Sequence, residues 1–419
     1  MRNGRTRAFG RAATLIGLAA ALAAVPGGAR ADTWKGLELR SRMDRAPWHF
    51  GPFIVQPSLV LANAGVDSNV FYSPTDPIRD FTLTAGPAAT IYIPLARRLV
   101  LTAFGSPQYV WYSKTERERT WNYYTNGAAQ LNLKNLFFSL DGVYSDARER
   151  WNTEIDIRPR RKQAGYGASV LVKVAWKTSF AVGYRTSKYD YASLDVGGFD
   201  IRQRLNRRES YGNLSVYYQV STLNRFFIDA EYGRYGFEFA QTAAISDSRS
   251  AAAYAGFEFS PLGPRLRGRV RVGYKKFDVL NPALPDYQGL VGDTQFSLRV
   301  SNPLAIRASY VRDVFFSLWY NNPYYVQSRP GVGVSIYPFR LLRLDYDFSF
   351  GRNRYSLAGG GGPDVKRLDD YVAHSVGVYV RIAKTTALGF VASWWDRDSN
   401  LAFEDDKRTF FGLNLTYDF

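Results

Sequence analysis

From Phe53 to the carboxyl terminus, apolar side chains recur at every second position. Leu266, Gly268, Val270, Val272 and Tyr274 alternate with Arg265, Arg267, Arg269, Arg271, Gly273 and Lys275. Trp121, Tyr123, Thr125, Gly127, Ala129 and Leu131 alternate with Asn122, Tyr124, Asn126, Ala128, Gln130 and Asn132. Near the end, Val372, His374, Val376, Val378, Val380 and Ile382 interleave with Ala373, Ser375, Gly377, Tyr379 and Arg381. A period of two predicts strands with one apolar and one polar face. After residue 31 no apolar run approaches the ~20 residues that a helical span needs.

The connections alternate in length. Short turns are expected at Pro94–Arg97, Lys134–Asn135, Trp176–Lys177, Ser221–Asn224, Ser260–Pro264, Ser301–Pro303, Pro338–Leu341 and Ala383–Thr385. Longer polar loops include Asn63–Arg79, Ser145–Lys162, Lys188–Arg207, Asp278–Gln288, Gly351–Arg367 with its Gly359–Gly362 run, and Arg397–Arg408. Eight turns and nine loops predict about eighteen strands, with sixteen to twenty as the range, both termini on the side of the short turns. The strands beginning near Phe226 and Tyr325 are the weakest, because Arg234 and Gln327 disturb a face. The pattern therefore predicts an all-β, antiparallel, up-and-down transmembrane barrel of the outer-membrane type, with periplasmic turns and external loops.

Composition agrees. An aromatic content of 16% and 46% hydrophobic residues sit beside a mean hydropathy of −0.26. Lipid-facing residues that alternate with polar ones, and Tyr and Trp belts at the two interfaces, reconcile these values. Residues 1–31 read as a secretory signal: basic at Arg2, Arg5, Arg7 and Arg11, apolar over Ala13–Val25, with small residues at Ala29 and Ala31 for cleavage. Its five basic residues and no acidic one lower the formal charge from +17 to +12 on processing. Residues 32–50 form a periplasmic leader, either a short amphipathic helix that docks or plugs, or a disordered segment, and residues 51–419 the barrel. With no cysteine there is no disulfide framework or thiolate metal site. A basic exported chain points away from nucleic acid and toward anionic lipid, lipopolysaccharide phosphates or acidic polymers.

The segment Gly51-Pro52-Phe53-Ile54-Val55-Gln56-Pro57-Ser58-Leu59, followed by Asp67-Ser68-Asn69-Val70-Phe71-Tyr72, resembles the opening of the β-barrel porin-2 family. That resemblance extends over most of the mature length and implies an outer-membrane barrel associated with exopolysaccharide or capsule secretion, with a periplasmic polysaccharide-export protein as a partner. Where the family usually has an aromatic or acidic residue before the Asp-x-Asn, this chain has Ala64-Gly65-Val66. Asp67 and Asn69 are read as turn-capping side chains rather than calcium or sugar ligands. The closing Leu413-Asn414-Leu415-Thr416-Tyr417-Asp418-Phe419 resembles the terminal strand read by the barrel-assembly machinery.

No catalytic, cofactor or metal constellation is expected. There are two histidines: His49 precedes the first strand, and His374 falls on the lipid-facing parity. Asp345 and Asp347 share a lumen face with Arg343, which reads as a charge-paired wall rather than a carboxylate dyad. The candidate site is basic. Arg265, Arg267, Arg269, Arg271 and Lys275 share one face of one strand, and Lys173, Arg299, Arg307, Arg343 and Arg381 lie on lumen parity near the periplasmic turns. These groups suit phosphates and carboxylates of small anions or an anionic polysaccharide, but also the wall acids Asp229, Glu231, Glu258, Asp293, Asp313, Asp345 and Asp347. The expected function is a passive conduit, the outer-membrane exit for an exopolysaccharide, with an anion-favouring lumen. A general or anion-selective diffusion porin and a structural or adhesive barrel with a closed lumen are the alternatives.

Overall fold

The computed structural model describes residues 39–418 apart from 74–75, 96–97, 134, 152, 155–156, 197, 261–262, 320–321, 359–365, 384 and 402–404. The signal segment, Lys134, the Gly359–Gly362 run and Phe419 thus lie outside the described residues. Eighteen long strands follow one another: β1 (Phe53–Asp67), β2 (Asp80–Pro94), β3 (Leu99–Tyr112), β4 (Thr120–Asn132), β5 (Leu136–Arg148), β6 (Arg160–Lys173), β7 (Thr178–Tyr191), β8 (Arg207–Gln219) and β9 (Asn224–Phe237). The second half is β10 (Ser248–Phe259), β11 (Leu266–Val279), β12 (Tyr287–Arg299), β13 (Leu304–Phe316), β14 (Tyr324–Phe339), β15 (Leu342–Ala358), β16 (Lys366–Arg381), β17 (Thr386–Ser399) and β18 (Asp406–Asp418). Each pairs antiparallel with its neighbours in the chain, and β1 pairs with β18 from Ser58↔Asp418 to Asp67↔Phe410, so the sheet closes and no edge remains.

Closure needs one irregularity. The β1–β18 register slips between Leu61 and Ala64, where Asn63 takes φ +54° and its N–H donates to Asn414 Oδ1 at 2.9 Å. Just beyond it, a Cβ on Gly65 would meet the carbonyl oxygen of Phe411 at 1.9 Å, so the two strands approach this closely only with glycine there.

The alternation of the sequence is the alternation of the wall. In β10, Ser248, Ser250, Ala252 and Tyr254 are buried inside while Arg249, Ala251, Ala253 and Ala255 face out. Val182, Ile228, Val272 and Tyr274 are exposed on the outer surface, in the setting where alternate apolar residues meet hydrocarbon. Both weak strands form: Arg234 sits at the exposed outer end of β9, and Gln327 is a buried lumen residue of β14.

Two expectations change. The external loops are shorter than the sequence implied: β1 runs to Asp67, β11 to Val279 and β15 to Ala358, because the hydrogen-bond ladder continues beyond the apolar band, where polarity no longer reports parity. The leader is partly incorporated as well. Trp48–Phe50 folds back on β1 with Trp48↔Val55 and Phe50↔Phe53 in register, after a helical turn over 39–43.

Candidate functional site

The lumen side is built by alternate positions of each strand, where polar and small residues are joined by buried clusters of larger ones, such as Phe137, Leu171, Tyr217 and Phe227. On β11 the basic row points inward, as its parity dictates. Arg269 Nη2 donates to Asp229 Oδ2 at 2.5 Å and lies over the Phe227 ring. Arg271 is 3.8 Å from Asp293 and over Tyr254, and Lys275 Nζ donates to Asp313 Oδ1 at 2.6 Å. Further round the same wall, on β13 to β15, Arg307 Nη2 donates to Asp347 Oδ1 at 2.7 Å, and Arg343 is 3.0 Å from Asp345. Six of the seven acids named from the sequence are thus partners in ion pairs, the sixth being Glu258, which accepts from Arg225 Nη2 at 2.6 Å. Arg225 escaped the sequence reading because its partner lies on the next strand, and register is invisible in one sequence.

The remaining cations gather at the periplasmic end. Arg267 Nε donates to the Gly263 carbonyl at 2.6 Å. Lys173 and Arg265 are exposed at the rim, and Arg299 lies 5.9 Å from the Tyr337 ring centre. Lys173, Arg265 and Arg299 make no ion pair among the described residues; Arg381 ends β16 on the same rim. The eight periplasmic turns and their bounding residues carry Arg98, Lys173, Lys177, Arg265, Arg299, Arg340 and Arg381 among the described residues, and no Asp or Glu.

The outer end is crossed by a strap. The third external loop, 149–159 between β5 and β6, reaches the opposite wall. Gln327 Nε2 of β14 and Asn353 Nδ2 of β15 donate to Thr153 Oγ1 at 3.1 and 2.9 Å, and Arg397 Nη1 of β17 donates to the Thr153 carbonyl at 2.8 Å. Glu154 accepts from Ser317 Oγ at 2.5 Å and from the Leu318 N–H at 2.9 Å, both in the loop after β13. Arg150 lies 3.7 Å from Asp406 of β18 and 3.7 Å from the Tyr72 ring centre. Helix α1 (Ile201–Leu205), in the fourth external loop, adds Arg204, which donates to the Leu318 and Trp319 carbonyls at 3.1 and 2.7 Å. Burial pushes the Glu154 carboxyl above its usual range, against the pull of Arg367. Nothing in the strap's sequence announced this crossing, since the opposite-wall partners of Thr153 and Glu154 are 163 to 244 residues away.

The minor candidates resolve into structural roles. Asp67 Oδ1 accepts from Asn69 N–H at 3.1 Å, an Asx turn, and Asp67 also clamps Arg408 at 2.7 Å. His49 Nε2 meets the Ala46 carbonyl at 3.1 Å. His374 Nδ1 meets Tyr346 Oη at 2.9 Å on the outer face, beside Phe348.

A closed antiparallel barrel with an apolar exterior and a polar, ion-paired lumen defines a porin-like β-barrel of the outer membrane. More particularly, residues 45–419 match the family described as "Putative beta-barrel porin 2", and the chain belongs to that family. Curated proteins give no sequence match. Among solved structures, this chain is similar to OpdK of Pseudomonas aeruginosa with vanillate, at 10% identity over 87% of this chain and 98% of that one, TM-score 0.49. It is also similar to OccAB4 of Acinetobacter baumannii, at 10% identity over 87% and 98%, TM-score 0.47. The siderophore receptor PirA of P. aeruginosa gives 10% identity over 89% and 81%, TM-score 0.44.

Proposed function

We propose that this channel conducts anionic cargo from the periplasm outward, and that the cargo is an acidic exopolysaccharide. The observation that carries the reading is the one-sign periplasmic mouth. The mid-wall arginines and Lys275 are neutralised by Asp229, Asp293 and Asp313, whereas Lys173, Arg265 and Arg299 at the rim have no carboxylate partner among the described residues. Fixed cations around an opening, within a Debye length of roughly 8 Å, concentrate anions at its entrance. The paired wall beyond offers a polymer alternating charges that do not hold it fast. The resemblance of the opening segment to a family associated with polysaccharide secretion supports the choice of polymer.

A second reading has its own support. The strap at Thr153–Glu154 narrows the outer mouth, which suits an anion-selective diffusion porin for small solutes. Deleting the gene separates the two. Retention of acidic polymer in the periplasm, with its loss from the cell surface, is the expected result. Unchanged surface polymer with reduced small-anion uptake selects the diffusion porin instead.

A further inference from the structure

On the outer surface of the barrel, at the external end of β7–β10, the register sets like charges opposite each other. Arg208 stands directly across from Lys188, and Arg234 directly across from Arg249, on four adjacent strands. All four belong to the outward parity: Lys188 lies above Tyr184 on β7, Arg208 above Leu214 on β8, and Arg234 above Tyr232 on β9, with those three apolar residues exposed. Like charges directly opposite in a sheet repel. The nearby acids only partly offset them: Lys188 pairs with Asp190 at 2.9 Å and lies 4.0 Å from Glu238, and Arg249 shares Asp278 with Lys276 at 3.4 and 3.0 Å. Arg208 and Arg234 form no salt bridge among the described residues; Asp247 lies within electrostatic reach of Arg234, but its Oδ1 accepts the Phe237 N–H.

The far side of the barrel shows that this arrangement is particular to one face. There the outward cross-strand partners have opposite signs: Arg352 with Asp370 on β15 and β16, hydrogen-bonded at 2.5 Å, and Asp396 with Lys407 on β17 and β18 at 3.1 Å.

We propose that Lys188, Arg208, Arg234 and Arg249 form a binding site for the phosphate groups of a phosphorylated lipid of the outer leaflet. Depth supports a lipid source. Tyr184 and Tyr232 lie on the same outward faces, two to four residues inward, and at ~3.3 Å per residue the cations stand ~7–13 Å beyond this aromatic belt, at headgroup level. A doubly charged phosphate between two facing cations converts repulsion into charge-assisted hydrogen bonds, with Arg supplying paired N–H donors. Apolar residues beneath, including Val182, Leu214 and Ile228, offer the acyl chains their surface.

The test titrates purified, folded barrel in detergent with diphosphorylated lipid A, its dephosphorylated form, and inorganic phosphate, reading bound lipid by native mass spectrometry. Wild type is expected to bind the diphosphorylated lipid at least about tenfold more tightly than the dephosphorylated one. The triple variant Arg208→Gln, Arg234→Gln, Arg249→Gln is expected to lose that difference, while Arg352→Gln on the far side keeps it. The corresponding triple Lys variant retains charge and is expected to keep most of the binding, which covers the case in which the Gln variant fails to fold. Equal binding of both lipids by wild type, an unaffected folded Gln triple, or displacement of the lipid by inorganic phosphate alone each overturns the proposal.

Discussion

Thr153 of the third external loop accepts a hydrogen bond from Asn353 of β15, 2.9 Å away and half way round the eighteen-strand wall. The bond spans the mouth, so the strap's position decides how wide the outer opening is. A chain without native cysteine allows a direct test. With Thr153→Cys and Asn353→Cys joined as a disulfide, single-channel conductance is expected to be low and to rise on reduction. Conductance indifferent to reductant would show that cargo passes without moving the strap.

The strap is also expected to respond to pH. Glu154 faces Arg367 and Asp369 of β16, Tyr325 of β14, Tyr355 of β15, and Ser317 and Leu318. Burial raises its carboxyl in the latched position above the 4.5 of a free glutamate, so the latched form holds its proton more tightly. Latching is therefore favoured most below the free value and weakens as pH rises through the raised one. Conductance is expected to fall on acidification, and Glu154→Gln, which stays neutral, to remain latched at every pH. A wild-type channel that opens in acid contradicts the assignment.

The buried wall pairs are expected to hold the barrel. Arg225 and Glu258 are both nearly inaccessible and 2.6 Å apart. Glu258→Gln removes the carboxylate charge that faces Arg225 and is expected to cost ~3–5 kcal/mol, whereas removing both charges recovers much of the loss. Urea titration of the heat-modifiable band measures both.

Leu413 is exposed on the outer face of β18, with Leu415 on the same parity. Replacing both by Asp places carboxylates toward lipid, where a charged side chain is destabilising, by ~2–4 kcal/mol for Arg or Lys at the midplane and by less for Asp. Assembled barrel at the outer membrane is expected to fall sharply, and likewise on removal of Phe419. Normal amounts of heat-modifiable barrel would remove this reading of the last strand.

The barrel was legible because its wall repeats one physical rule. Each strand such as Leu266–Val279 reports its own two faces, and the short turns count the strands. Cross-strand partners were not legible. That Arg269 meets Asp229 and Arg225 meets Glu258 follows from register between strands, which turns and bulges set. The strap lay still further out of reach: Thr153 has no periodicity to betray it, and its contacts exist only once the barrel has closed. The like-charged pairs Lys188–Arg208 and Arg234–Arg249 were hidden for the same reason, since each strand alone shows only an ordinary polar end.

The central claim is that the periplasmic mouth draws anions into the channel. Reversal potential across a planar bilayer in a salt gradient tests it most directly, on wild type and on Lys173→Gln, Arg265→Gln, Arg299→Gln together. These three side chains lie at the rim without ion-pair partners among the described residues, so the triple variant is expected to assemble normally. The account predicts anion selectivity in wild type, weakening as ionic strength rises, and a shift toward cations in the triple variant. A cation-selective wild type, or an assembled triple variant with unchanged reversal potential, would contradict it.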